Sequence, residues 1–302
     1  MLDDLRRHRP FALAAAAAAV AAGCLLLILS GAPLRMPVMN FAALLIGLTA
    51  LLALRAAGAL LPRPVPWDWA LLAISLLVPL TAMFGAEADG VARWMVIAGL
   101  TTQPALMVVP PLAIAFALRP SAVRAAAIAC AAIGVAMQPD PAAAAMLTLG
   151  SVGALAGRKR AVATSAAAVA AAGAFLIACL TSPVLPPAPF VERVLPTAVG
   201  LGVITSIVAV VGLALLFLPA LTRDEDRPQA RLAFVGVWLG AMLAALAGHY
   251  PTPVLGFGGS AILGYVLSVG LLHPLRPGAY AEHVRSPASR PDLPGGNDLR
   301  LV

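Results

Sequence analysis

Arg6-Arg-His-Arg-Pro-Phe-Ala-Leu-Ala-Ala-Ala-Ala-Ala-Ala-Val-Ala-Ala-Gly-Cys-Leu-Leu-Leu-Ile-Leu29 sets the solvent of this chain before anything else is read. An arginine cluster is followed by about 20 apolar residues without a charge, enough helix to cross a ~30 Å hydrocarbon layer. The same stretch, with Ser30-Gly31-Ala32 behind it, has the outline of a signal peptide and cleavage site. Its apolar run is longer than a signal peptide needs, and nine more apolar runs follow. A retained first transmembrane helix is expected.

The rest of the composition agrees. The chain is 61% hydrophobic and only 11% charged, with a mean hydropathy of +0.96. So little charge cannot cover a soluble domain of this size, and the bilayer takes the place of water. Alanine and leucine dominate while aromatics are 5%, which argues for small-residue helices over an alternating β-barrel. The expected fold is an all-α polytopic membrane protein, with residues 1–273 as one domain and 274–302 as a disordered Pro-, Gly- and Arg-rich tail.

Ten apolar segments are predicted, near 11–31, 38–61, 67–84, 104–118, 121–138, 141–157, 161–181, 198–221, 232–249 and 259–273. With both termini cytoplasmic, seventeen of the twenty Lys and Arg residues lie on the inner side, leaving Arg35, Arg93 and Arg193 outside. That is the positive-inside bias of an even-numbered bundle. The net charge of +7 is explained by these loops. With no basic patch interleaved with aromatics, nucleic acid is not an expected partner. Only Glu87, Asp89, Asp140 and Glu192 are outward carboxylates on this map, so outer-face acid–base chemistry would draw on them.

Cys24, Cys130 and Cys179 are isolated in apolar segments, and the four histidines are scattered. No metal-ligand spacing occurs, and neither a metal nor an organic cofactor is expected.

Three outer stretches carry the remaining signal. Gly90-Val-Ala-Arg93-Trp94 leads to Gln103-Pro104. There Arg93 and Trp94 read either as interfacial anchors or, through the arginine fork, as a phosphate-binding pair. Gln138-Pro139-Asp140-Pro141 reads as a helix–turn–helix corner capped by Asp140, or as a buried carboxylate kept for use. Gly256-Phe257-Gly258-Gly259-Ser260 opens the last helix, where glycine permits close approach and a helix start offers N–H groups to an anion.

Taken in order, these stretches resemble the SEDS family (shape, elongation, division and sporulation), which includes FtsW- and RodA-type membrane proteins. The family's patterns G-x-x-R-W…Q-P, Q-P-D and P-x-x-S-Y-G-G-S-S correspond to Gly90 to Pro104, Gln138 to Asp140 and Pro253 to Ala261. The resemblance spans residues 40–275 and rests on about a dozen positions. It implies a multi-pass protein of the bacterial inner membrane, in cell-wall synthesis, division or shape. Lipid II or a similar polyprenyl-linked precursor would be the substrate, and a class B penicillin-binding protein the partner. Arg93, Trp94, Gln103, Gln138, Asp140, Gly258, Gly259 and Ser260 would form the precursor site.

The chain departs from the family where the chemistry lies. The essential aspartate in the loop before the eighth helix corresponds to Val191, with Glu192 beside it, in a loop shortened to about seventeen residues. The Ser and Glu after Gln-Pro are Ala105 and Leu106. Polymerisation needs a base to accept a proton from a sugar hydroxyl, which valine cannot do. Glu192 and Asp140 are the candidate substitutes, and Glu192 equally fits an exposed charge paired with Arg193. Weak or absent glycosyltransferase capacity is expected. A small-solute transporter or a non-catalytic scaffold is the alternative.

Overall fold

The computed structural model describes residues 2–60, 66–88, 90–97, 99–156, 162–183, 186–221, 227–247 and 250–272. The tail from 274 and most of the inward basic loops lie outside these residues. Each expected apolar segment contains helix. In order, α1 is Leu2–Leu29, α2 Arg35–Leu60, α3 Trp67–Ser75 and α4 Leu77–Phe84, followed by three short strands. Then come α5 Pro104–Leu118, α6 Ala122–Met137, α7 Pro141–Ala156, α8 Val162–Thr181, α9 Val194–Leu201, α10 Val203–Leu221, α11 Pro228–Leu246 and α12 Gly259–Leu272. Among the described residues, six stretches are long and apolar enough to cross a membrane, α3 and α4 together making one of them. Helices α5, α6, α7 and α12 are apolar but shorter.

The short helices form the core. Eleven of the fifteen residues of α5 are buried, against five of twenty in α8. Outside, large apolar side chains face away from the protein, with Leu180 77%, Val203 75% and Phe84 73% exposed. Such a surface is stable only against lipid.

Small residues set how closely the core helices pack. Gly236 and Gly240 are four apart on α11 and face α7. A Cβ on Gly236 would collide with the Leu149 carbonyl, and one on Gly240 would sit 2.7 Å from the Ala145 carbonyl. On α7, Gly153 answers against Leu232. This is the small-xxx-small contact by which helices associate in lipid, where no hydrophobic force drives them together. Pro110 of α5 has no N–H for the Leu106 carbonyl, and that oxygen lies against Gly264 of α12.

Two expected helices are divided. Pro79 cannot donate to Ser75, so the 67–84 helix breaks between α3 and α4. Gly202, at φ +122°, separates α9 from α10. The freed backbone is satisfied locally: Thr205 Oγ1 donates to the carbonyls of Ala198 (2.5 Å) and Gly202 (2.9 Å).

The all-α expectation needs one correction. The stretch before α5 is an antiparallel sheet, β1 (Ala86–Ala88), β2 (Val91–Ile97) and β3 (Leu100–Thr102), in the order β1-β2-β3. Its turns contain Gly90 and Gly99, both at positive φ (80° and 79°), which glycine adopts without strain. Asp89-Gly90 ahead of a β-branched and aromatic run is a hairpin signal in the sequence itself.

Candidate functional site

The sheet and the short helices position the predicted residues at one end of the bundle. Asp140 caps α7. Its Oδ1 accepts from the Ala143 N–H at 3.1 Å, and Pro141 fills the first helical position, where a missing N–H costs nothing. Its Oδ2 accepts from Gln103 Nε2 at 2.9 Å. Gln103 is itself the residue before α5, and its backbone N–H donates to Ser260 Oγ at 2.9 Å in the first turn of α12. The starts of α5, α7 and α12 therefore meet, with Gln103 tying the other two together. Each start presents the positive end of a helix dipole, so the place favours negative charge. Asp140 supplies one such charge and is 1% exposed, with both oxygens holding donors.

Arg93 closes the corner from β2. Nε donates to the Gln138 carbonyl at 3.1 Å, and Nη2 donates to the Pro139 carbonyl and to Ser182 Oγ at 3.4 Å. The guanidinium lies 5.9 Å from the centre of the Tyr250 ring, and the Tyr250 hydroxyl is 3.1 Å from Ser182 Oγ. At 4% exposure it does not point into headgroups. Its fork holds backbone, joining the sheet to the α6–α7 corner and to the end of α8. Gln138 is fully buried. Its Nε2 donates to the Val78 carbonyl at 2.7 Å, and its Oε1 has no partner. Trp94 is half-buried on β2, with its carbonyl against Gly85.

The glycine-rich turn is gripped from two sides. Asn40, buried in α2, donates from Nδ2 to the Gly256 carbonyl (2.9 Å) and accepts through Oδ1 from the Gly258 N–H (3.1 Å). From the other side, the Phe257 N–H donates to the Phe190 carbonyl (2.8 Å) and the Thr252 N–H to the Val191 carbonyl (3.0 Å). The close approach expected of the glycine pair occurs instead at Gly256, where a Cβ would sit 2.8 Å from the Val191 oxygen. At Gly258 a Cβ would meet nothing within 4 Å, and at Gly259 only Ala43 at 3.4 Å. Neither is held to glycine by packing within the chain.

Glu192 lies in the loop that covers this turn, half-buried, with Oε2 accepting from the Ala188 N–H at 2.7 Å. The residues missed from sequence are Asn40, Ser182 and Tyr250. A lone asparagine in an apolar span was the one usable signal, since such residues are rarely without a task.

No protein-family model matches the chain, and no curated protein resembles it in sequence. Solved structures do match. The Thermus thermophilus rod shape determining protein RodA superposes with a TM-score of 0.56 at 22% identity, covering 87% of this chain and 95% of that one. The chain has the RodA fold. A point mutant of the same RodA gives a TM-score of 0.57 at 22% identity, over 87% and 96% of the two chains. A chain from a structure described as the coordination of polymerisation and crosslinking by a peptidoglycan synthase complex matches at 0.56 and 21%, over 87% and 95%. The match spans almost the whole of each of these chains.

Proposed function

We propose that this chain is a divergent SEDS-type protein of the bacterial inner membrane. In this reading ten helices cross the bilayer, both termini are cytoplasmic, and the site opens outward to bind a polyprenyl-linked glycan precursor of the lipid II kind. The supporting observation is the meeting of three helix N-termini around Gln103, Asp140 and Ser260. A pyrophosphate is the part of such a precursor that this arrangement suits. Gly258 and Gly259, with space above them, would admit the ligand. Gln103, Gln138 and Ser260 would bind it, while Arg93 and Trp94 hold the sheet that frames the mouth. Asp140 serves to hold the helix starts together, each of its oxygens accepting one hydrogen bond. Glu192, beside the position of the family's aspartate, is the proposed base, and the proposed glycosyltransferase capacity is weak or absent. A class B penicillin-binding protein is the proposed partner, by analogy with the synthase complex that shares the fold.

Broken helices also suit a transporter. Here, however, the Ala198 and Gly202 carbonyls at the α9–α10 break are taken by the Thr205 hydroxyl, leaving little for a coupling ion.

The test is binding of an undecaprenyl-pyrophosphate disaccharide to the full-length protein in nanodiscs. Wild type should bind, and Gly258→Leu, at a position where a Cβ meets nothing within 4 Å, should lose at least tenfold in affinity while its melting temperature stays that of wild type. Equal binding by both proteins, or none by wild type, overturns the reading.

A further inference from the structure

The small outer sheet has two ends of opposite character. The β1–β2 end is acidic in sequence, with exposed Glu87 and the Asp89-Gly90 pair. The β2–β3 end is apolar, with Val96 61%, Ile97 55% and Leu100 52% exposed. Ile97 and Leu100 are direct cross-strand partners and share one face, while Val96 takes the other. The tip thus presents large apolar side chains on both faces, with Thr101 beside Val96 as its one polar side chain, whereas turns that meet water are built mainly from polar and turn-forming residues. Nearer the site, Val91 and Arg93 are buried, so the same strand is fixed at its start and bare at its end.

Lipid is the occupant that fits. Helix α4 runs straight into the sheet, and its Leu77, Leu80, Met83 and Phe84 are all exposed, Phe84 at 73%. The bilayer-facing surface therefore continues to within two residues of β1. No charged residue occurs from Trp94 to Leu118, so the tip belongs to the same uncharged run as α5. The one side-chain hydroxyl at this end with a described bond, Thr102 Oγ1, is turned onto the Met95 carbonyl at 3.1 Å. A protein interface would bring a polar and charged rim, whereas within the hairpin these three side chains adjoin one exposed polar residue, Thr101 opposite Val96, and no charge. The outer edge of β3 still carries backbone groups that need water or headgroups, which limits the depth to the headgroup–acyl boundary.

We infer that the β2–β3 tip, through Val96, Ile97 and Leu100, is a lipid-seated anchor in the leaflet on the side of the candidate site, pinning the strand that carries Arg93. This does not depend on the nature of the ligand bound at the site.

The experiment places a nitroxide at position 97 or, separately, at 87. The background is full-length protein with Cys24, Cys130 and Cys179 replaced by alanine, in nanodiscs of phosphatidylglycerol and phosphatidylethanolamine. Collision with oxygen is compared with collision with a water-soluble nickel chelate. The label at 97 should favour oxygen several-fold, and the label at 87 should favour nickel. Nickel access at 97 would place the tip in water. Protection from both reagents would place it against a second copy or another protein. Either overturns the anchor. Should the cysteine-free protein fail to fold, Ile97→Trp in the native background replaces it. Quenching of the added emission by lipids brominated near the carbonyl is expected, and its absence overturns the inference equally.

Discussion

The side-chain amide of Gln103 donates to Oδ2 of Asp140 at 2.9 Å, across 37 residues of chain. This bond gives the second carboxylate oxygen a donor, because the capping N–H of Ala143 alone would leave that oxygen unpaired in the protein interior. Gln103→Ala should destabilise the protein by about 1.5–3 kcal/mol, the range for a hydrogen bond to a charged group. Gln103→Glu should be worse, since it sets a second negative charge against the first. Thermal unfolding of the purified protein in detergent, followed by circular dichroism, measures both. A Gln103→Glu variant as stable as wild type would mean that the Gln103–Asp140 bond contributes nothing to stability.

Arg93 is expected to be irreplaceable by lysine. The guanidinium reaches the carbonyls of both Gln138 and Pro139 from different nitrogens, a geometry a point charge cannot reproduce. Arg93→Lys and Arg93→Ala should both lose about 2–6 kcal/mol, because two buried acceptors lose planar donors at about 1–3 kcal/mol each. Full stability in Arg93→Lys would show that charge alone is needed there. Precursor affinity, measured at a temperature where each variant is folded, then tells whether Arg93 also touches the ligand.

Asn40 offers a sharper discrimination. It uses a donor toward Gly256 and an acceptor toward Gly258, so asparagine is the only residue type of its length that supplies both. Asn40→Asp keeps the acceptor but turns a carboxylate oxygen toward the Gly256 carbonyl. It should fall below Asn40→Ala in melting temperature, the alanine variant itself losing about 1–3 kcal/mol for unsatisfied buried groups. The reverse order would mean that water replaces the lost donor.

Two glycines in long helices should respond in opposite directions. Gly240 meets the Ala145 backbone across the α7–α11 contact, whereas a Cβ on Gly173 in α8 meets nothing within 4 Å. Gly240→Ala should destabilise by about 1–3 kcal/mol through overpacking. Gly173→Ala should stabilise by roughly 0.5–1 kcal/mol through helix propensity. Both are read from the same unfolding experiment.

Hydropathy located the helices well because it reports the solvent, and the solvent here is lipid over most of the surface. The 104–118 segment appears with the expected bounds, and α6, α7 and α12 fall within a residue or two of theirs. What it could not report is packing in a chain that is apolar on every side. Gly236 and Gly240 look like any small residues until α7 is placed against them. Asn40 has its partners 216 and 218 positions away, beyond the reach of any periodicity. The breaks at Pro79 and Gly202 were readable in principle, as was the Asp89-Gly90 hairpin, but a membrane reading assigns the second to loop by default. Gln103, Gln138, Asp140 and Ser260 were found through motif order, and the structure adds how they touch.

The last prediction concerns catalysis, where Asp140 and Glu192 are the carboxylates that the motifs single out. Asp140 is buried with a donor on each oxygen, and the proposed base is Glu192, next to the position of the family's aspartate. Its carboxylate is tied to the Ala188 N–H, and a glutamine there keeps an acceptor for that bond while losing the base. Glu192→Gln should therefore keep that bond. Val191 holds the loop to Thr252 through its backbone carbonyl, and its half-buried side chain makes no contribution to that bond. Val191→Asp should fold and place a carboxylate where the resemblance to SEDS proteins expects one. If the missing base limits the rate, Val191→Asp should raise glycan-strand formation from lipid II by about 10²–10⁴-fold over a near-silent wild type, the usual contribution of a general base. The assay is strand length on a gel, with any crosslinking partner inactivated at its transpeptidase site. Robust strands from wild type that vanish in Glu192→Gln would instead make Glu192 the working base. No gain in Val191→Asp would move the defect from the missing acid to the shortened loop around it.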